Sequence, residues 1–558
     1  MLYASYILLL TIFLSYPIFI FSFPDKMYII YFCYAAWGII SCIYLFVRWR
    51  INYSWADIVW LALVCYNING IWRCNQLLQC CLLISVYLTS KCIGRTKIGL
   101  RIILVALLIA GLIQVVVGEL QVFQCIPSLN AYFLMTGSFD NPGIWGGFMV
   151  VTMGVLLGAM NKLPRIICWA ILLILGLNII YSDSRAAWLA GCTAVAWKMK
   201  LYWKIPFKKW LAGIGSICIV FMLFSLFIYK PNSAYGRLLI WQVCSSMISE
   251  QPLTGSGWGT FSAQYMPHQA TFIARTGNES NLFTNNAFAF NEFIHVFCDQ
   301  GIIGLILVLT LIFLLLRRYH STELQPFQIA FIAFLTFACF SYPCSLLLTN
   351  IQLAILTGVL SSSYPTIATI PFFSKVWKWI EVTIFCVLAF VLSIRFMEYY
   401  RIEQALHNYL YRADYESLKF LETHVHQVEQ DKIFMLRYAR ILYMTGDYEH
   451  AIPALEQAIA LYPTTDKYCD LGHLYEANGN LQAAETMYRN ASCLLPHLLY
   501  PYYCLLILYE DEGQIDQARE MALRILSISP KIDNEQAHHI RYKAQTYLFL
   551  QENKKRQP

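Results

Sequence analysis

Thirteen apolar runs, each long enough to cross the roughly 30 Å of bilayer hydrocarbon, recur through the first 397 residues. They fall at about 3–23, 27–47, 54–71, 76–93, 100–118, 144–161, 165–181, 186–203, 209–229, 302–316, 326–346, 349–364 and 377–396. No other feature limits the architecture so strongly, because a backbone in hydrocarbon must satisfy its own hydrogen bonds, and a helix does this within one segment. The first run has no basic lead and no small-residue cleavage site, so it reads as a retained span. Charge divides the chain at the same boundary. Residues 1–397 carry 24 Lys/Arg and 11 Asp/Glu, whereas residues 398–558 carry 16 and 22. The expectation is an all-α protein with 12–13 transmembrane helices over 1–397 and a water-soluble domain over 398–558. The net charge of +7 is thus a basic membrane part plus an acidic tail, which excludes a nucleic-acid footprint. Most of the 19 cysteines lie in apolar runs, where the thiol is a small hydrophobe. No CxxC, HExxH or zinc-spaced Cys/His set occurs, so neither metal nor cofactor is expected.

Basic residues orient the spans. With a cytoplasmic N-terminus, the inward connections hold seventeen, from Arg48 and Arg50 through Lys91, Arg95, Lys97 and Arg101 to Lys375 and Lys378. The outward connections hold six: Lys26, Arg73, Arg185, Lys230, Arg237 and Arg275. Segment 119–143, the long 230–301 loop and the tail then face outward, which in a bacterial inner membrane is the periplasm.

From residue 438 the tail repeats every 33–34 residues. Gly446, Gly479 and Gly513 each close a first helix, and Pro463, Pro496 and Pro530 each close a second. Ala451, Ala484 and Ala518 stand where paired helices approach closely. This pattern resembles the tetratricopeptide repeat, an α-solenoid whose surfaces hold peptides or partner domains. A further helical pair over 400–435 is expected to cap the array or join it to the last span.

Four polar clusters lie on the predicted outer side. "TGSFDNPGIWGGFM" places Asp140 and Asn141 in a turn before a small-residue span. "IIYSDSRAAWLAG" leaves Asp183, Ser184 and Arg185 where two spans meet. "YGRLLIWQVCSSMISEQPLTGSGWGTF" carries Arg237 and Trp241 on an amphipathic helix, then Gly255, Gly257, Trp258 and Gly259, glycines that read as chain turns. "NNAFAFNEFIHVFCDQGIIGLIL" puts Asn291 and His295 on one helix face with Glu292 beside them. Polar groups at membrane depth are costly and mark candidate sites.

In this order, the clusters resemble signatures of the O-antigen ligase superfamily over about residues 120–320. That superfamily includes lipopolysaccharide O-antigen ligases, bacterial protein O-oligosaccharyltransferases and, more distantly, O-antigen polymerases. The resemblance implies a metal-independent, inverting glycosyltransferase. Its donor would be a preassembled glycan on a polyprenyl (undecaprenyl) diphosphate carrier, and its acceptor a hydroxyl of lipid A core sugar or of protein Ser/Thr. It further implies Arg185, Arg237 and Arg73 as diphosphate ligands and Asn141, Asp140, Trp241 and Trp258 as a glycan or acceptor loop. His295, Glu292 and Asn291 are the catalytic candidates. One departure stands out: Phe290 occupies the position of the family's proposed catalytic histidine. A polymerase extending glycan on the carrier, or a transporter or scaffold with a repeat tail as protein-partner site, remains the alternative.

Overall fold

The computed structural model describes residues 54–73, 76–203, 229–317, 322–364, 374–412 and 414–556, with scattered positions between 204 and 228. The expected spans at 3–23 and 27–47, and most of that at 209–229, lie outside the described residues. Everything regular among the described residues is helical. The membrane part runs α1 (Trp55–Tyr66), α2 (Ile68–Arg73), α3 (Leu77–Ile93), α4 (Lys97–Val122), α5 (Pro142–Ala159), α6 (Arg165–Tyr181) and α7 (Arg185–Trp203). After the gap come α8 (Pro231–Glu250), α9 (Phe261–Thr276), α10 (Glu292–Arg317), α11 (Gln325–Ala338), a 3-10 turn at Pro343–Ser345, α12 (Leu347–Ser361) and α13 (Ser374–Arg412). Three of these helices, α4, α5 and α10, are long and apolar enough to cross a bilayer by themselves, and shorter apolar helices pack beside them. The run at 326–346 is not one helix. Pro343 cannot continue the hydrogen-bond ladder, and the chain leaves α11 at Cys339 for the 3-10 turn.

Helix α5 is the hub of this bundle, buried along nearly its whole length. Glycines let it press directly on the backbone of α11: a Cβ on Gly158 would stand 2.3 Å from the Pro326 Cα, and one on Gly154 2.8 Å from the Ala330 Cα. Without a hydrophobic force between helices in lipid, such close approach is what holds them together.

Polar contacts sort the helix ends into two faces. On one, buried Lys91 pairs with Asp57, which also accepts from the Tyr87 hydroxyl at 2.6 Å, and Lys162 pairs with Glu323 at 2.5 Å. On the other, Asn67 meets Gln300 at 3.2 Å, Asn141 meets the Tyr342 hydroxyl at 3.0 Å, and Arg185 meets Ser233 at 2.9 Å. The second face is the one that basic-residue counting assigns to the outside.

The tail begins inside α13, a continuous 39-residue helix about 58 Å long. It continues through α14 (Tyr415–His424), α15 (Lys432–Thr445), α16 (Tyr448–Leu461), α17 (Thr465–Ala477), α18 (Leu481–Leu494), α19 (Leu499–Asp511), α20 (Ile515–Ser527) and α21 (Glu535–Arg556). Gly446, Gly479 and Gly513 have φ of +79°, +76° and +72° after the first helix of each pair. This is the left-handed conformation in which a helix is closed by glycine. Ala451, Ala484 and Ala518 are fully buried between paired helices.

The repeats dock on the outer loop. Gln269 of α9 donates to the Leu494 carbonyl at 3.1 Å, and Ser262 donates to the Leu461 carbonyl at 3.3 Å. These are carbonyls at the ends of α18 and α16 that have no partner within their own helices. Leu494 and Leu495 join the apolar core formed by Ile240, Val243, Phe261, Tyr265 and Met266. Arg524 pairs with Glu279 at 2.5 Å. The tail therefore stands on the same face as Arg185, Arg237 and Glu292.

Candidate functional site

The second turn of the outer segment is shaped by two glutamines of α4. Gln121 Oε1 accepts the amides of Thr136 and Gly137, and Gln114 Oε1 accepts that of Ser138. This delivers Asn141 to the N-cap of α5, where its Oδ1 accepts the Gly143 amide at 2.7 Å while its Nδ2 reaches Tyr342. Asp140 is exposed, and its charge is felt at the Tyr342 hydroxyl.

Around Tyr342 the chain builds an aromatic wall. Phe288 stacks on Tyr342 with centroids 4.2 Å apart, and Phe290 meets it edge-on at 5.2 Å. Phe290 holds φ +52°, an uncommon conformation for a bulky residue and one that collects at functional sites. The Arg237 guanidinium lies 5.6 Å from the Phe290 ring centroid. Phe290 thus supports an arginine where the resemblance places a histidine.

Arg237 is half-buried on α8 and has no ion-pair partner among the described residues. Burial and the nearby Arg185 charge pull its pKa down to about 10, which leaves it cationic at neutral pH. Arg185 is committed differently: it donates to the Tyr229 carbonyl at 3.2 Å, the Lys230 carbonyl at 3.4 Å and Ser233 Oγ at 2.9 Å. It ties α7 to the start of α8. Beside it, Asp183 accepts from both Tyr229 and Lys230. Partial burial raises the Asp183 pKa, but those hydrogen bonds and the Lys230 and Arg185 charges prevail and hold it below the usual carboxylate range. Asp183 and Lys230 also hold positive φ, at +51° and +48°, so this pair and Phe290 lie in left-handed backbone near the two arginines.

Further along, α10 starts at Glu292 with Asn291 as its cap: Asn291 Oδ1 accepts the amides of Phe293 and Ile294 at 2.9 and 3.1 Å. Glu292 Oε1 accepts the Cys344 amide at 2.6 Å, fastening the helix start to the 3-10 turn. His295 stacks on Phe261 at 4.5 Å, and its Nε2 is 3.6 Å from Asp299 Oδ2, one turn on. His295 Nδ1 and Asp299 Oδ1 are buried without a hydrogen-bond partner among the described residues. Buried polar atoms left this way call for a functional explanation.

The glycine-rich stretch does more than turn the chain. Gly257 N donates to the Asp299 carbonyl at 2.8 Å, Gly259 N donates to Asp299 Oδ2 at 2.8 Å, and Ile302 N donates to the Pro252 carbonyl at 2.9 Å. The loop wraps a break in α10 at Gly301, where φ is +62° and ψ −166°. Only glycine tolerates that conformation, and a Cβ there would stand 2.2 Å from the Leu253 carbonyl oxygen. Gly301→Ala is expected to destabilise the protein by roughly 3 kcal/mol through strain and overpacking. A fall in the thermal unfolding midpoint in detergent measures it, and an unchanged midpoint contradicts the account.

Glu292, His295, Asp299 and Gln300 line a cavity of about 560 Å³, with Trp258 and Asn67 also at its polar end. Its walls are apolar, from Leu63 and Val64 of α1 to Leu311 and Leu315 of α10 and Phe331 and Phe334 of α11. Such a volume with a few convergent polar groups is typical of a ligand site. Of the sequence candidates, Glu292, His295 and Trp258 line this cavity. Arg237, Asn141 and Arg185 gather on the far side of the Phe290–Tyr342 pair. Trp241 donates to the Ala289 carbonyl at 2.9 Å and braces the irregular segment leading into the site. Arg73 ends α2, and its side chain lies outside the described residues. Asp299 was not singled out from the sequence, although its i,i+4 spacing from His295 marks it. Tyr342 and Cys344 carried no signal, since they sit in what reads as an apolar span.

Residues 170–309, from α6 to the outer half of α10, match the O-antigen ligase family. Residues 434–465 and 468–492 match the tetratricopeptide repeat. No curated protein matches the chain. Both expected resemblances are met, and the first match covers Arg185, Arg237, the glycine loop and His295; the chain is a membrane protein similar over residues 170–309 to the O-antigen ligases, a similarity that supports a glycan-handling, glycosyltransferase-like function, and it carries a C-terminal tetratricopeptide repeat region.

Proposed function

We propose that this chain transfers a preassembled glycan from a polyprenyl diphosphate carrier to a hydroxyl acceptor on the periplasmic side of a bacterial inner membrane. The observation that carries the reading is Arg237: a half-buried guanidinium with no counter-ion among the described residues, held over the Phe290 ring, which with Tyr342 and Phe288 stands between it and the apolar cavity that His295 lines. An unpaired buried cation is stable in the company of an anion, and planar guanidinium is matched to phosphate oxygens. The apolar walls suit a polyprenyl chain. The leaving group is a lipid diphosphate, which needs positive charge rather than a strong acid, and Arg237 with Arg185 supplies it without a metal.

The acceptor hydroxyl needs a base. His295 Nδ1, on a ring that Asp299 orients through Nε2, takes the proton while the oxygen attacks the anomeric carbon opposite the departing diphosphate, so the anomeric configuration inverts. Glu292, at the same cavity, is the second candidate. The docked repeats stand on the same face and supply a surface for the acceptor protein or for a partner enzyme.

Deleting the gene tests this reading. Loss of the lipopolysaccharide ladder assigns a lipid A core acceptor, and loss of glycoprotein signal assigns a protein acceptor. A changed chain-length distribution assigns polymerisation. If all three persist unchanged, the chain is not a transferase of carrier-linked glycan.

A further inference from the structure

Two cysteines of the repeat domain meet in a setting that the glycan reading does not use. Cys469 on α17 and Cys504 on α19 are both buried, at 1% and 6% exposure, and the two thiols are near enough to interact electrostatically. His473, one turn beyond Cys469, brings its Nε2 to 3.8 Å from Cys504 Sγ. The Tyr488 hydroxyl donates to Glu476 at 2.7 Å, so its oxygen is free to accept from His473 Nδ1, also at 2.7 Å. That fixes the proton of neutral His473 on Nδ1 and leaves Nε2 to accept. Tyr500 completes the ring around Nε2 at 3.1 Å.

We propose that Cys504 and Cys469 are a redox-active dithiol, with Cys504 the nucleophile toward a disulfide and Cys469 the resolving thiol. The Cys504 proton passes to His473 Nε2. The thiolate attacks one sulfur of the incoming disulfide, forms a mixed disulfide and expels the other half as a thiolate. Cys469, losing its proton to solvent, then attacks Cys504 sulfur, closes the Cys469–Cys504 bond and expels the second thiolate. The incoming disulfide is reduced by two electrons and the protein dithiol is oxidised by two. The product staples the first helices of two consecutive repeats.

The local charges agree with these roles. The interaction with Cys469, joined by those with His473 and Tyr500, brings the Cys504 thiol down to about 6 against the opposing effect of burial, while Cys469 is pushed up. Asp466 and Asp470 on α17 push Cys469 the same way, and Arg440 of α15 pairs with Asp470 at 3.5 Å. The approach to Cys504 runs past the Tyr500 and His473 rings, each more than one-third exposed.

The test treats the full-length protein in detergent with an aromatic disulfide at pH 6.5, maps the thiols by mass spectrometry and counts released aromatic thiolate. Wild type is expected to yield the Cys469–Cys504 bond with two thiolates released for that site. Cys504 should react about tenfold or more faster than exposed Cys493 in the same domain. Cys469→Ser should stop at a stable mixed disulfide on Cys504 with one thiolate released. His473→Gln should slow Cys504 at pH 6.5 and recover at pH 9. Because the wild-type measurement needs no substitution, folding of the variants does not limit the test. If wild-type Cys504 reacts no faster than Cys493, or if Cys504 is modified while Cys469 stays open to alkylation, the proposal is wrong.

Discussion

Arg237→Ala is expected to lower the rate of glycan transfer by about 100-fold or more while leaving the protein folded and inserted. The magnitude follows from removing one preorganised donor to a charge that grows in the transition state. The side chain makes no ion pair among the described residues, so its loss should not lower the unfolding midpoint. Arg237→Lys keeps the charge but loses the planar fork and its seat on Phe290, and should recover only part of the rate. Arg185 behaves differently under the same treatment. It bonds two carbonyls and Ser233 across the α7–α8 junction, so Arg185→Ala should lower both transfer and the unfolding midpoint. Transfer assayed with purified carrier-linked glycan, beside a thermal scan, separates the two. Near-normal transfer by Arg237→Ala would remove Arg237 from the site.

The second large effect belongs to His295. His295→Gln keeps a polar side chain of similar reach on the same turn but cannot act as a base near neutrality. A loss of about 100-fold or more in transfer, with carrier binding intact, is the usual worth of a general base. Glu292→Gln provides the contrast, because an amide oxygen can still accept the Cys344 amide and so preserve the local structure. If His295→Gln is silent and Glu292→Gln inactive, the carboxylate is the base. If neither matters, proton transfer does not depend on this helix. Asp299→Asn should reduce the rate less than His295→Gln, since Asp299 acts through the histidine's orientation and through the Gly259 amide that it holds.

The membrane architecture and the repeats were legible because both rest on periodicity. Apolar length and the glycine–proline punctuation every 33–34 residues depend only on local composition. The placement of Arg237 over Phe290 was not legible, since it brings together α8 and the segment before α10 through a loop of more than 30 residues. The break at Pro343 was visible in principle, as a proline inside an apolar run, yet the surrounding Phe340, Tyr342 and Leu346 hid it. Phe290 shows why a motif position is not a role: its ring lies under a cation, and the nearest imidazole sits one helical turn further on. Docking of α9 against α16 and α18 could not be read at all, because neither the outer loop nor the repeats carry an isolated apolar surface that announces its partner.

Helix α13 enters the repeat array without a break, and α9 grips the same array from the side. A domain held at two points cannot swing like a tethered bait. It acts instead as a bracket. Whatever the repeats capture is presented to the enzyme at one bearing and one height, so the advantage gained is alignment rather than raised local concentration. Lengthening α13 by two residues would rotate the array by about 200° and shift it by about 3 Å, forcing either the α9 contact or the helix to give way.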